Sequence, residues 1–487
     1  MANLKKNIGL QTLYQILETC LPLITSPYLS RVLGAEQLGI FSYTQSIVNY
    51  FTLFAMLGLN NHGTRCIAVA GEDIEKRSKD FWSIYAIQFI SSFIALSGYL
   101  SYLLVLCKEN LTIGVIQGLV ILACFLNINW LFFGLEKFSI TVTRNAVIRV
   151  CTVILILTLV KKQSDLWIYV LVMAGSTFLS QAVLWFYVPR VIKLARVTMR
   201  DVASHIKSVL ILFVPVAAMS VYHVMDKTML GALSTYEQSG FYYNADKVIN
   251  IPAGIISGIG TVMLPRVSAL IAQSRKEDAE NLFLRSMEGS VLAASALAFG
   301  IAAIAKEFTP FFFGSGYEPC INLIIALAPV LVIKGVAFSV RFQYLIPRKM
   351  DKIYISSVFA GMAINLIINL LAIPSLGALG AVIGTLVAEL TACICQLCCI
   401  RKHIDFRKTL TNSLLYVIFG VTMFGTVRLI GDHLDGSLVV LIFEIGVGAS
   451  AYVILTLFYF ALTGKKDRIS RLFAGKDCTD KDYKNEK

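Results

Sequence analysis

Long apolar runs separated by short polar segments follow one another along the whole chain. Runs such as 150–160 and 439–462 are almost continuously apolar and do not alternate with polar positions. This pattern is typical of membrane-spanning helices and excludes the strands of a β-barrel. Because a span needs about 20 apolar residues to cross ~30 Å of hydrocarbon, the pattern predicts about fourteen spans. The predicted spans lie near 9–31, 38–60, 82–106, 112–133, 145–160, 166–189, 206–231, 240–265, 285–306, 320–345, 352–373, 376–400, 411–430 and 438–462.

The positive residues between these runs lie mostly in alternate loops. Clusters of Lys and Arg occur within 76–79, 190–207, 275–276, 348–352 and 401–408, whereas segments 232–239 and 307–319 carry none. Cytoplasmic loops carry the excess of Lys and Arg, and both termini fall on the cation-rich side. The sequence therefore predicts an all-α polytopic membrane protein with an even number of spans and both termini cytoplasmic.

Composition supports this fold class and limits the function. Of 487 residues, 57% are apolar and 15% charged, and the mean hydropathy is +0.72, whereas a soluble chain carries about 25% charge. The net charge of +13 is spread over many short loops, so we expect contacts with anionic lipid headgroups rather than with nucleic acid. A membrane enzyme usually needs larger loops than these, so no enzymatic activity is expected.

Two stretches of the chain repeat each other at an offset of 201 positions. Residues 36–49 and 237–250 both begin with Glu-Gln, carry Gly at the fourth position and end with Asn. Six predicted spans separate the copies, so the two copies share an orientation. Such parallel repeats are typical of transporters that rock two bundles around a central site. Chance similarity between two hairpins is the alternative.

The repeat predicts the organisation of the chain. Residues 1–200 (spans 1–6) would form an N-terminal lobe, 201–408 (spans 7–12) a C-terminal lobe, 409–464 two further spans, and 465–487 a cytoplasmic tail. Proline removes a hydrogen bond and bends a helix. We therefore expect interruptions at Pro22 and Pro27 in span 1, Pro215 in span 7, Pro252 in span 8 and Pro329 in span 10.

The cysteines and histidines do not predict a metal site. Cys393, Cys395, Cys398 and Cys399 lie inside a predicted span, where cysteine behaves as a small apolar residue. The five histidines form no established ligand motif, and the chain has no phosphate-binding loop of the Walker type. Neither a metal nor a cofactor is expected.

Ionisable residues inside spans are costly and usually face a cavity or one another. Asp226-Lys227 and Asp246-Lys247 lie at matching depth on adjacent antiparallel helices, roughly 7–9 Å below the outer surface. One interpretation is an ion-pair cluster that joins the two helices. The other is that the lysines face a central aqueous cavity and bind an anionic substrate, with the aspartates as counter-ions or proton carriers.

Further cations are candidates for the same cavity. Lys334 and Arg341 are seven residues apart and share one face of span 10, which favours an anion-binding wall. Snorkelling to the membrane edge is the alternative for Arg341. Arg31 and Arg149 complete the set of candidate cavity cations.

Four further ionisable residues lie inside the predicted spans. Glu18 and Glu389 lie in mid-span and are candidate protonatable sites, together with Asp226 and Asp246. Arg428 and Glu444 lie near span ends, where interfacial positions would explain them.

Several of these stretches resemble one family. Tyr28–Gly34, followed by Gly39 and the region of Gly58, resembles the start of Wzx-type polysaccharide flippases. The stretch Asp226–Gly231, followed by 240–242 and 245–248, shows the same resemblance. This family belongs to the multidrug/oligosaccharidyl-lipid/polysaccharide exporter superfamily. The resemblance covers the whole chain in length and span number, whereas the specific motifs cover only these stretches.

The resemblance implies transport of a lipid-linked glycan. Such flippases move oligosaccharide repeat units on undecaprenyl diphosphate to the outer leaflet of the bacterial cytoplasmic membrane, for O-antigen or capsular polysaccharide biosynthesis. Lys227, Lys247, Lys334 and Arg341 would contact the diphosphate or acidic sugars in a cationic central cavity that works by alternating access. An H⁺ or Na⁺ gradient would drive the step. The expected partners are the lipid-linked glycan, membrane lipids, the polysaccharide polymerase and the chain-length regulator.

Three other functions stay open. A lipid II flippase also has fourteen spans and a cationic cavity. A small-molecule or drug antiporter of the same superfamily would typically have twelve spans and fewer cations in its cavity. A sugar transferase or polymerase is the enzymatic alternative.

Overall fold

The structure is a computed structural model of the full chain. It describes residues 2–105, 109–401, 403–404, 406–431, 433 and 438–463, with side chains from residue 21 onward apart from residues 223, 407 and 408. Regular secondary structure in these ranges is helical. The helices are α1 (Ala2–Met56), α2 (Leu59–Ala70), α3 (Ile74–Val105), α4 (Leu111–Leu126), α5 (Asn129–Gly134), α6 (Phe138–Leu159), α7 (Leu166–Leu184), α8 (Met199–Leu233), α9 (Tyr236–Ala272), α10 (Lys276–Phe313), α11 (Pro319–Leu327), α12 (Pro329–Ser339), α13 (Asp351–Leu376), α14 (Ala378–Ile400), α15 (Arg407–Gly431) and α16 (Leu438–Leu462). Short 3₁₀ turns at Gln163–Asp165 and Trp185–Arg190 and a π-helical segment at Val340–Leu345 complete the set.

Twelve helical segments among the described residues are long and apolar enough to cross a membrane. They coincide one by one with the third to fourteenth predicted spans, so the protein is a multi-pass, all-helical membrane protein. The fifth span is longer than the predicted 145–160, because α6 begins at Phe138. The total of fourteen spans and the cytoplasmic location of both termini stay predictions.

The first predicted span and most of the second lie on α1, on either side of a break at Gly34, and α1 ends at Met56, four residues before the predicted end of the second span. Gly34 has φ 77° and ψ 172° within an otherwise helical stretch. A positive φ of this size carries little steric cost only for glycine. The connection between the first two predicted spans therefore contains one residue with non-helical backbone angles, Gly34.

The fourth predicted span breaks at Asn127 and Ile128, between α4 and α5. A broken helix leaves carbonyl groups without partners, which is costly in lipid. The side-chain amide of Gln88 on α3 donates to the carbonyl oxygens of Cys124 at 2.6 Å and Asn127 at 2.9 Å. The Gln88 carbonyl accepts from Trp130 Nε1 at 3.0 Å. Gln88 thus supplies the hydrogen bonds that the break removes.

The prolines predicted to interrupt spans behave in two ways. Span 10 is divided at Ala328, since α11 ends at Leu327 and Pro329 begins α12, as predicted. The other four lie inside α1, α8 and α9, which continue through them. Bending at those four positions stays a prediction.

The chain forms two compact units that alternate along the sequence. Among the described residues, the first falls within Met1–Ile251, Phe312–Leu327 and Lys349–Cys399, and the second within Pro252–Phe311, Ala328–Arg348 and Ile400–Lys487. Units defined by proximity need not coincide with repeats, so the lobes 1–200 and 201–408 stay a prediction.

Within the first unit, the two copies of the repeat meet at their glycines. A Cβ atom on Gly39 would lie 1.6 Å from the carbonyl oxygen of Tyr236, and one on Gly240 would lie 1.9 Å from that of Ala35. Ala35 and Tyr236 directly precede the two copies of the repeat, so each contact maps onto the other at the offset of 201. Small residues permit such close backbone approach in membranes. The reciprocal contact supports the interpretation of the two stretches as a true repeat.

Two charged residues near predicted span ends, Arg428 and Glu444, pack against other helices within the second unit. Arg428 donates to both carboxylate oxygens of Glu307, at 2.7 and 3.0 Å, and to the carbonyl oxygen of Ala303 at 2.7 Å. Glu444 is 1% exposed and packs against Gly431. The interfacial positions of Arg428 and Glu444 stay predictions, and the structure adds the protein contacts that each side chain makes. Distance from a span end does not reveal an acidic partner such as Glu307 on another helix.

Candidate functional site

Three adjoining cavities lie within the first unit. The first, of about 520 Å³, and the second, of about 300 Å³, share Asn49, Val120, Thr177 and Val224 in their walls. The second and the third, of about 330 Å³, share Arg149, Met173 and Tyr243. Because the second cavity shares wall residues with each of the other two, the three cavities form a row. Residues of α1, α4, α6, α7, α8 and α9 contribute to them.

Lys227 on α8 borders the second cavity. Its Nζ lies 2.8 Å from Asp246 Oδ2 on α9, and the two side chains are 24% and 21% exposed. The structure therefore combines the two interpretations of the Asp/Lys pairs. One lysine makes the predicted ion pair between adjacent helices, and the same lysine borders a cavity.

Lys247, one residue after Asp246, borders the third cavity. Its Nζ lies 4.2 Å from the centre of the Tyr243 ring and 3.4 Å from Ser26 Oγ. The Nζ of Lys227 is 5.7 Å from the same ring. Among the side chains that the structure describes, no carboxylate oxygen lies within 4.0 Å of Lys247 Nζ. A cation that contacts a ring face and a hydroxyl can still accept an anionic ligand.

Arg149 on α6 joins these two cavities, because it lines both. Arg149 is exposed. Arg149, Lys227 and Lys247 are thus the predicted cavity cations that the structure brings together in the first unit.

Asp226 occupies a different environment from its neighbour Lys227. It is 7% exposed and accepts hydrogen bonds from Tyr242 Oη at 2.7 Å and Thr385 Oγ1 at 2.6 Å. Asn369 Nδ2 donates to its other oxygen at 2.6 Å. These donors belong to α9, α14 and α13, so Asp226 joins four helices of the first unit through its carboxylate. A role in proton coupling stays a prediction.

The remaining predicted site residues lie elsewhere. Arg31 is exposed and packs against Gly314. Lys334 and Arg341 are buried in the second unit, 9% and 8% exposed, with Arg341 in the π-helical segment and its guanidinium 5.7 Å from the Phe338 ring. Glu389 is buried on α14. The Glu18 side chain lies outside the described residues. The roles predicted for these residues stay predictions.

Sequence reasoning missed the uncharged polar walls of the first cavity. Amide and hydroxyl side chains line it, namely Asn49, Thr52, Asn60, Asn127, Thr177, Gln181 and Ser220. Asn129 Nδ2 donates to Gln181 Oε1 at 3.0 Å, and buried Arg144 donates to Asn129 Oδ1 at 3.1 Å. Such side chains are costly in lipid unless they are hydrogen-bonded. The available signal was therefore the occurrence of several Asn and Gln residues inside apolar spans.

The sequence matches one known protein family over more than half of its length. Residues 4–271 match the family described as "Polysaccharide biosynthesis protein", which is more than half of the chain. The chain belongs to this family. The matched region contains the three cavities and both copies of the repeat.

Curated relatives of this family member agree with that assignment. A protein of Escherichia coli (strain K12) named as an O-antigen transporter is 22% identical over 405 residues, which is 82% of this chain and 97% of the relative. A protein of Haloferax volcanii named as the low-salt glycan biosynthesis flippase Agl15 is 22% identical over 247 residues, 49% of this chain and 50% of the relative. The resemblance to Wzx-type polysaccharide flippases is thereby confirmed.

A solved structure shares the fold. The lipid II flippase MurJ in an inward closed conformation aligns with a TM-score of 0.76 at 12% identity, covering 92% of this chain and 99% of MurJ. At this identity the likeness shows the fold alone. The chain therefore has a fold similar to that of MurJ. Its family assignment rests on the sequence match instead.

Proposed function

We propose that this protein flips undecaprenyl-diphosphate-linked oligosaccharide repeat units across the bacterial cytoplasmic membrane, for O-antigen or capsular polysaccharide biosynthesis. Family membership and relatives named as an O-antigen transporter and a glycan flippase support the flipping of a lipid-linked glycan. The proposal also covers the oligosaccharide repeat unit as cargo, undecaprenyl diphosphate as its carrier and the row of cavities as its route through the protein.

The observation that carries the proposal is the composition of the row of cavities. Sugar hydroxyl groups need hydrogen-bonding partners in place of water, and the amides of Asn49, Asn127 and Gln181 offer them. A diphosphate needs cations, and Lys227, Lys247 and Arg149 border the next two cavities. The polyprenyl chain would stay in the lipid. The two ends of the row thus match the two polar parts of the cargo.

Alternating access would move this cargo without an enzymatic step. The predicted parallel repeat suits two bundles that rock around a central site, and Asp226, Asp246, Glu18 and Glu389 are the candidates for coupling to an H⁺ or Na⁺ gradient. Lys334, Arg341 and Arg31 would contact the cargo in other states of the cycle. The polysaccharide polymerase and the chain-length regulator are the proposed partners.

Lipid II is the alternative cargo, since it also joins a diphosphate to a glycan. The MurJ fold alone does not favour it, whereas the sequence match to the O-antigen transporter runs along 97% of that relative. A drug antiporter is a weaker alternative, because three cations within two small cavities repel cationic drugs.

Deletion of the gene in its host tests the proposed function. We expect loss of one surface polysaccharide and accumulation of its lipid-linked repeat unit on the cytoplasmic side, measured by glycan gels and by mass spectrometry of extracted lipids. Intact surface polysaccharide with altered drug tolerance would favour the antiporter. Accumulation of lipid II with loss of viability would favour the peptidoglycan precursor as cargo.

A further inference from the structure

A cluster of metal-ligating side chains lies on α2, α3 and α8, apart from the row of cavities. His62 and Cys66 are one helical turn apart on α2, so they project from the same face. His62 Nε2 lies 3.4 Å from Cys66 Sγ and 2.9 Å from His205 Nδ1 on α8. The three donor atoms all lie within 4.8 Å of one another.

These distances approach those of an occupied metal site. Zinc binds imidazole nitrogen at about 2.0–2.1 Å and thiolate sulfur at about 2.3 Å in tetrahedral geometry. Two nitrogens are then separated by about 3.3 Å, and a nitrogen and a sulfur by about 3.6 Å. The two distances from His62 Nε2 are therefore a few tenths of an ångström shorter than those around one ion, and the donor atoms of Cys66 and His205 lie within 4.8 Å of each other.

Asp80 on α3 supplies a second, independent feature of metal sites. Its Oδ1 lies 3.9 Å from His205 Nε2, which is the ring nitrogen that does not face His62. A metal-binding histidine usually donates its other ring N–H to a carboxylate, which fixes the tautomer and the ring orientation. Asp80 therefore stands where a positioning residue for His205 would be needed.

The surroundings leave room for a fourth ligand. A cavity of about 480 Å³ contains His62, Cys66 and Asp80 in its walls, and Arg65 and Ser208 also line it. Burial raises the pKa of the Cys66 thiol, so binding must release its proton as the metal–sulfur bond forms.

We propose that His62, Cys66 and His205 bind one Zn²⁺ ion, with Asp80 as the positioning residue of His205 and with water or an anion in the fourth position. Nitrogen and sulfur donors select zinc over Mg²⁺ and Ca²⁺, which prefer oxygen. The ion would join α2 to α8 by coordinate bonds. This inference revises the sequence-based expectation that the chain holds no metal, and it does not depend on the cargo.

Titration of the purified full chain with Co²⁺ as a spectroscopic probe for the zinc site tests this proposal. We expect one equivalent of Co²⁺ to produce a thiolate-to-cobalt absorption band that Zn²⁺ abolishes by displacement. Cys66→Ser should lose the band, and His205→Gln should weaken binding at least about 10-fold. Cys151→Ser, which removes an exposed cysteine on α6, is the matched control and should keep both.

The Co²⁺ affinity of Asp80 variants distinguishes a positioning role of Asp80 from a purely structural one. Asp80→Asn should lower the Co²⁺ affinity by about 10- to 100-fold, and Asp80→Glu should restore most of it. Zn²⁺ should raise the thermal midpoint of the wild-type protein but not that of Cys66→Ser, because only a folded site binds. Absence of a thiolate band in the wild-type protein, or an undiminished band in Cys66→Ser, would overturn the proposal.

Discussion

Replacing Lys247 with alanine is expected to reduce export of the glycan by about 10- to 100-fold while the protein stays folded and in the membrane. A hydrogen bond to a charged group contributes about 1.5–3 kcal/mol, and each 1.4 kcal/mol is a factor of ten. Export is measured as surface polysaccharide in a gene-deletion host that carries the variant.

Lys247 discriminates better than Lys227 between a structural and a cargo-binding cation. Lys227→Ala would also leave Asp246 without its 2.8 Å partner, which is destabilising in itself. Lys247 contacts the Tyr243 ring and Ser26 instead, so its removal leaves no described carboxylate without a cation. A loss of export would then reflect the lost positive charge.

Two further variants complete this experiment. Lys247→Arg keeps the charge and should retain most of the export. Lys207→Ala removes an exposed lysine on α8 and should leave export unchanged. Full export by Lys247→Ala would contradict a role in cargo binding, and reduced protein levels restored by Lys247→Arg would instead indicate a structural cation.

Gly240→Ala is expected to lower the free energy of unfolding by about 1–3 kcal/mol, the usual cost of overpacking. Its Cβ would lie 1.9 Å from the carbonyl oxygen of Ala35, so the two backbones must move apart. Gly39→Ala should have a similar effect, since Tyr236 O would lie 1.6 Å from its Cβ. The measurement is the thermal unfolding midpoint of purified protein in detergent.

Gly175→Ala is the matched control, because a Cβ there would meet nothing within 4 Å. Alanine has the higher helix propensity, so this variant should unfold at the same or a slightly higher temperature. If Gly240→Ala unfolds no earlier than Gly175→Ala, the glycine contact does not hold the two repeat copies together.

The spans could be predicted from sequence because the bilayer fixes both their length and their composition. Twelve of them recur as helices at nearly the predicted positions. The break at Asn127 could not be predicted, since it depends on Gln88, 39 residues away on another helix. Hydropathy likewise cannot show that Arg428 meets Glu307, because pairing between helices depends on their rotation.

The candidate site could be predicted only in part for a similar reason. The pattern placed Asp226-Lys227 and Asp246-Lys247 at matching depth on adjacent helices, and the structure pairs Lys227 with Asp246. The pattern could not distinguish the environment of Asp226 from that of Asp246, because the partners of Asp226, Asn369 and Thr385, come from α13 and α14. The cluster at His62 was missed because the i and i+4 spacing of His62 and Cys66 becomes informative only once His205 is known to lie beside them.

Transfer of a lipid-linked repeat unit between leaflets of reconstituted vesicles tests the central claim most directly. Vesicles of bacterial lipid would contain the purified protein and an undecaprenyl-diphosphate-linked oligosaccharide of the host, placed in the inner leaflet. A membrane-impermeant glycosidase would report the fraction that reaches the outer leaflet. We predict that the oligosaccharide reaches the outer leaflet rapidly with the wild-type protein, and slowly with Lys247→Ala or in vesicles that contain the lipid but no protein. Exposure no faster than in empty vesicles, while lipid II is translocated readily under the same conditions, would contradict the account.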